Sequence, residues 1–143
     1  MSETVFTKII EGDLPGRFVW EDDVCVAFLT TNPLTPGHTL VVPRQVIEHW
    51  IDAPADLRAH LFEVCHTISR AIDAGYQPEK VGLTIAGLEV PHLHIHLAAI
   101  DTLEDLNFAN VDPDPGDEAL DQAADTIREA LRELGAERVS DRS

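Results

Sequence analysis

The run Pro91-His92-Leu93-His94-Ile95-His96-Leu97 constrains this chain more than any other segment. Strand side chains alternate between faces, so His92, His94 and His96 share one face while Leu93, Ile95 and Leu97 share the other. The aliphatic face is made for a core. The other sets three of the chain's seven histidines in a row, roughly 6.5–7 Å apart. Three chemistries fit such a row. It can be a hydrogen-bonded polar ladder on a half-exposed strand, although desolvating three imidazoles without return counts against that. It can hold a metal ion through two or three histidines, with Glu89 or His38 as a further ligand. Or it can act on phosphorus: a neutral imidazole with one free nitrogen is a nucleophile near pH 7, and a neighbouring imidazole can donate to the phosphate or the leaving group.

The rest of the chain reads as short strands with helices added at the ends and over one face. Residues 5, 6, 9 and 10 are apolar at helical spacing and stop at the turn Gly12-Asp13-Leu14-Pro15-Gly16, which predicts a short N-terminal helix. Arg17–Trp20 and Val24–Leu29 are β-prone runs across the acidic turn Glu21-Asp22-Asp23, and a third run, His38–Val42, follows a Pro/Gly-rich turn. Asp52 can cap a helix over 52–75, whose Leu57, Leu61, Val64, Cys65, Ile68 and Ile72 fall on one stripe ending at Gly75. Val81–Leu88 and His92–Ile100 supply two more strands. After Asp112-Pro113-Asp114-Pro115-Gly116, a second amphipathic helix carries Leu120 to Leu134, with a frayed end beyond Gly135. This pattern is an α+β domain around an antiparallel sheet.

Charge narrows the partners. Against 26 Asp+Glu stand 10 Lys+Arg, a formal net charge of -16, so nucleic acid and anionic membrane are poor partners. Residues 101–143 hold 13 of those acids and four of the bases, which makes the tail a solvated acidic face. Before it the only cations are Lys8, Arg17, Arg44, Arg58, Arg70 and Lys80, so a bound phosphate must rest on histidines and backbone amides. No run approaches a membrane span, and the first residues lack a signal peptide's basic and apolar regions, which together predict a cytoplasmic protein. Cys25 and Cys65 read as two reduced, buried thiols without the spacing of a structural zinc site, and nothing in the chain requires a cofactor.

His92-Leu93-His94-Ile95-His96-Leu97-Ala98 fits, position by position, the His-φ-His-φ-His-φ-φ motif (φ apolar) of the histidine triad (HIT) family, and the chain resembles its Hint-like bacterial branch. Phe6 with Lys8-Ile9-Ile10, Leu14-Pro15, Glu21-Asp22-Asp23, Ala27-Phe28, Asn32-Pro33, Pro36–Pro43 and Ala86-Gly87 before Val90-Pro91 carry the likeness across residues 4–100. The resemblance implies a five-stranded antiparallel sheet with a long central helix, a short N-terminal helix and a C-terminal amphipathic helix. It divides the chain into a HIT-like domain, 1–111, and an acidic helix and tail, 112–143, packed on it or trailing from it.

By that resemblance His94 is the nucleophile, attacking the α-phosphorus of a purine nucleotide or nucleotide conjugate to form a nucleotidyl-histidine that water hydrolyses. His96 stabilises the phosphate or leaving group, His92 orients the others from a buried position, and His38 stands beside the nucleophile. Phe6, Ile9, Leu14 and Phe28 are the implied apolar slot for the base, Thr30 and Thr31 the ribose contacts, and Thr84, Gly87 and Glu89 the phosphate side. The branch carries an acidic or amide residue where Thr30 stands, and a small hydroxyl residue where Glu89 stands. Thr4 and Thr7 replace a zinc-binding cysteine pair of some bacterial members, so structural zinc is not expected and no residue is assigned to a metal. The implied assembly is a homodimer through the central helix and a sheet strand. Two other functions stay open: a catalytically weak nucleotide- or partner-binding module on the same fold, and a metal-dependent hydrolase using the histidine cluster.

Overall fold

The computed structural model describes residues 3–143. Strands β1 (Phe18–Glu21), β2 (Cys25–Leu29), β3 (Thr39–Pro43), β4 (Lys80–Thr84) and β5 (Ile95–Ile100) form one antiparallel sheet in the order β1-β2-β3-β5-β4. Three helices complete the α+β fold: α1 (Val5–Glu11), α2 (Ala55–Tyr76) and α3 (Asp117–Glu133).

Every residue of β2 and β3 is buried, because both faces of the sheet are covered. On one face Cys25, Ala27, Leu29, Val41, Ile95 and Leu97 pack against the apolar stripes of α2 and α3. On the other, Phe18, Val26, Phe28, Leu40 and Val42 lie with Phe6 of α1. Directly opposed residues of an antiparallel pair share a face. The register Phe18↔Phe28, Phe28↔Leu40, Leu40↔His96, Thr84↔His96 therefore runs one row across all five strands on the α1 side. The row begins with aromatics and ends with His96 and Thr84, so the sheet itself places imidazole at the border of an apolar floor.

Several element boundaries differ from the sequence reading, each for a local reason. The long helix begins at Ala55 with Pro54 at its cap, because Trp50–Asp52 forms a separate 3-10 turn; Asp52 ends that turn and caps nothing in α2. The helix also runs past Gly75 to Tyr76 and stops at Gln77 in the left-handed region (φ 51°). Gly75 serves packing instead, since a Cβ there would meet Thr126 of α3 at 2.9 Å. Strand β4 ends at Thr84, leaving Ile85–Glu89 free of the ladder. Strand β5 begins only at Ile95: the His92 N–H donates to the Val90 carbonyl (2.8 Å) and the Leu93 N–H to that of Ile47 (2.7 Å), both outside the sheet.

The expectation of a frayed end after Gly135 is corrected as well. Backbone bonds Phe18 N–H to Arg142 O (2.8 Å), Glu21 N–H to Arg138 O (3.0 Å) and Ser140 N–H to Val19 O (3.1 Å) lay the tail along β1. Buried Arg128 of α3 fastens it, its Nε donating to the carbonyls of Phe18 (2.8 Å) and Ser140 (2.9 Å). An edge strand that would expose its donors is thereby covered. Cys25 and Cys65 are buried free thiols, and burial pushes both thiol pKa values up.

Candidate active site

Four imidazoles lie on the α1 side of the sheet, and hydrogen bonds fix what each nitrogen can do. His92 is fully buried. A carbonyl can only accept, so the 2.8 Å contact with Pro43 O places the His92 proton on Nε2. Nδ1 is then an acceptor, and the buried Thr4 hydroxyl donates to it at 2.8 Å. Thr4 also caps α1, taking the Thr7 N–H, so one side chain ties the first helix to the first histidine.

His92 in turn orients His94. The His94 Nδ1–H donates to the His92 carbonyl at 2.7 Å, which leaves Nε2 with a free lone pair. The same logic runs through the other pair. His38 follows Pro36-Gly37, where φ is +88° and a Cβ would lie 2.5 Å from the Tyr76 ring, so only glycine fits. His38 Nδ1 accepts the Leu34 N–H (2.9 Å), its Nε2–H donates to His96 Nδ1 (2.9 Å), and the His96 proton is thereby placed on Nε2. Burial, together with His96, pushes the pKa of His38 down to about 3. Burial, together with His94, pushes His96 down to about 4. Burial also lowers His92, with Pro43 acting in the opposite sense. Near pH 7 the site therefore holds neutral imidazoles at these three positions.

The rings stack edge to face in a row, Phe6 to His94 (centroids 4.8 Å), His94 to His96 (5.0 Å) and His96 to Phe108 (4.8 Å). They line a cavity of about 370 Å³ together with Thr30, Leu40, Ala86, Gly87, Leu88, Glu89 and Val90. The floor is apolar, one wall carries a lone-pair nitrogen beside an N–H donor, and the rim carries a carboxylate.

The sequence profile of the HIT domain matches residues 11–103. The chain belongs to the HIT family. An uncharacterized HIT-like protein of Borreliella burgdorferi is 38% identical over 104 residues, 68% of this chain and 75% of that one. Adenylylsulfatase HINT3 of Arabidopsis thaliana is 33% identical over 101 residues, 67% of this chain but 51% of that longer protein. Among solved structures, a hypothetical histidine triad nucleotide-binding protein of Sulfolobus tokodaii superposes with a TM-score of 0.76 at 26% identity, covering 90% of this chain and 92% of that one.

Within this HIT fold the residues singled out from sequence divide into three groups. Phe6, Thr30, Gly87, Glu89, His94 and His96 meet around the cavity. His92 and His38 lie directly behind it as hydrogen-bond partners, Phe28 is buried beneath Phe6 (rings 5.7 Å apart), and Thr84 stands opposite His96 in register without reaching the cavity wall. Ile9 packs beside the second apolar cluster, and Leu14 and Thr31 are exposed; none of the three lines the cavity, to which α1 presents only Phe6. The Thr30 hydroxyl accepts the Asn32 N–H at 3.3 Å. Leu40, Ala86, Leu88, Val90 and Phe108 line the cavity without having been assigned to the site from sequence. Leu40 was recoverable from register with His96. Phe108 was not: it sits on a 3-10 turn after β5, where no periodicity marks it.

Metal binding by the histidine row fits poorly. Both nitrogens of His92 and His38 and the Nδ1 atoms of His94 and His96 are engaged, which leaves two Nε2 atoms, one of them protonated. Among the described residues, the one trio whose ligating atoms fall within 4.8 Å of one another is elsewhere: Asp22, Cys25 and His60. There the Asp22 carboxylate already accepts from Trp20, Val24, Cys25 and His60 at 2.7–2.8 Å. Burial raises the Asp22 pKa, yet these bonds prevail and hold it at about 2. The trio is a clamp between the β1–β2 turn and α2.

Proposed function

We propose that this HIT protein is a nucleotide hydrolase that cleaves a nucleoside monophosphate from an α-phosphate-linked leaving group through a covalent intermediate on His94. The observation that carries the reading is the pairing of tautomers on one cavity wall: a free lone pair at His94 Nε2 beside an N–H at His96 Nε2. His94 Nε2 attacks the α-phosphorus, and a P–Nε2 bond forms as the bond to the leaving nitrogen or oxygen breaks. The leaving group keeps the bonding pair and takes a proton from solvent, while the His96 N–H stabilises the charge building on it. The phosphorylated imidazole is cationic, and its Nδ1–H is already aimed at the His92 carbonyl. Water then attacks phosphorus, the P–Nε2 bond breaks, and the water proton goes to solvent as His94 regains its lone pair.

The apolar floor of Phe6, Leu40 and Val90 suits a purine, and Thr30 offers a single ribose contact. The relative named as an adenylylsulfatase supports a nucleotidyl substrate. The working form is a homodimer through α2 and the β4 edge. The test is turnover of adenosine 5′-phosphoramidate. His94→Ala is expected to lose at least about a thousandfold in kcat, since it removes the nucleophile; a variant that keeps its rate overturns the reading.

A further inference from the structure

The cavity wall contains no lysine or arginine. Its only formal charge is the Glu89 carboxylate, and among the described residues Glu89 takes part in no ion pair or side-chain hydrogen bond. Burial keeps His38, His92 and His96 neutral near pH 7, so these three imidazoles do not cancel it. Glu89 lies beyond the end of β4, in the loop that contains Gly87 (φ +73°), and it is exposed while lining the cavity, which puts it on the rim and not in the floor. The same cavity is lined by Phe108, half-exposed, an aromatic ring suited to a cation. A site with one anion, two phenyl rings and no fixed cation repels a chain of further phosphates beyond the α-position. It attracts a positive charge there.

We infer that Glu89 is a specificity-determining residue: it selects nucleotide conjugates whose leaving group carries a protonated amine, and it disfavours substrates whose leaving group is a phosphate or polyphosphate. This inference rests on the hydrolase reading above and names the class of leaving group that site prefers. The bonds made and broken are those already described, with the leaving nitrogen departing as an amine and the second, protonated amine resting at Glu89. Because the carboxylate is exposed, the attraction is solvent-screened and weakens as salt rises.

The experiment compares two adenosine 5′-phosphoramidates of the same length, one of 1,4-diaminobutane linked through a single nitrogen and one of n-pentylamine, by amine release from the full chain. The ratio of their kcat/KM values in the native protein, divided by that ratio in Glu89→Gln, cancels any difference in intrinsic reactivity. At low salt this quotient is expected to be about tenfold and to shrink toward one at high salt. Glu89→Lys is expected to reverse the preference and to improve turnover of diadenosine polyphosphate. A quotient near one, or one insensitive to salt, overturns the inference while leaving the hydrolase reading standing. Release of neither amine by the native protein overturns the hydrolase reading itself, and the inference falls with it.

Discussion

The division of labour among the histidines is decided by backbone groups that can only accept or only donate. Pro43 O, His92 O and the Leu34 N–H each permit one arrangement at their imidazole, and three fixed ends determine four rings. Thr4 closes the chain by donating to the one nitrogen that would otherwise be a buried, unpaired acceptor. Thr4→Val should therefore cost on the order of 2–3 kcal/mol in urea denaturation, from a lost helix cap together with an unsatisfied buried nitrogen. Thr4→Ser keeps the hydroxyl and should recover most of it. Equal losses in both variants would show that the methyl group's packing matters and the hydrogen bond does not. The role of Thr4 was hidden in the sequence because 88 residues separate it from His92. That His94 and His96 face one cavity was legible because alternation needs only local order.

Elements carry the site by where they stop. Had β5 begun at His92, a regular ladder would hold the His92 backbone; its late start at Ile95 leaves the His92 carbonyl to accept from His94. Away from the histidines, β4 ends the sheet with an unpaired edge, and beside it α2 exposes Phe62 at 63% and the 3-10 turn exposes Ile51 at 59%. A hollow of about 250 Å³ lies between Trp50, Leu61, Phe62, Leu83, Leu93 and Ile95. Edge and apolar face together suit a second copy of the chain, which the proposed homodimer supplies. Sedimentation velocity at micromolar concentration should give a dimer for the native chain and a monomer for Phe62→Glu. A native monomer, or a dimer indifferent to that substitution, would refute this interface. The buried stripe of α2 was readable from its period, but which of its remaining faces meets a partner was not, since exposed Phe62 breaks no pattern in one sequence.

At the scale of the whole molecule, charge and site are separated. The acidic C-terminal segment packs α3 against α2 and lays its last residues along β1, while the histidines occupy the sheet's other face beneath α1. The large net charge thus belongs to the outside of the fold, and the site works with imidazoles, backbone and one carboxylate. Strand count, helix count and the identity of the histidine face could be taken from periodicity and resemblance. The Arg128 fastening, the Asp22–His60 clamp and the Phe108 wall could not, because each joins residues whose partners are fixed only when the chain has folded. The central claim is that His94 becomes covalently bound to phosphorus, and rapid acid- or base-quench of the protein with an adenosine 5′-phosphoramidate, followed by peptide mass spectrometry, tests it most directly. An adenylyl group on His94 in the native protein, lost in His94→Ala, is the predicted result; turnover with no adduct on any histidine, or an adduct on His96, would contradict it.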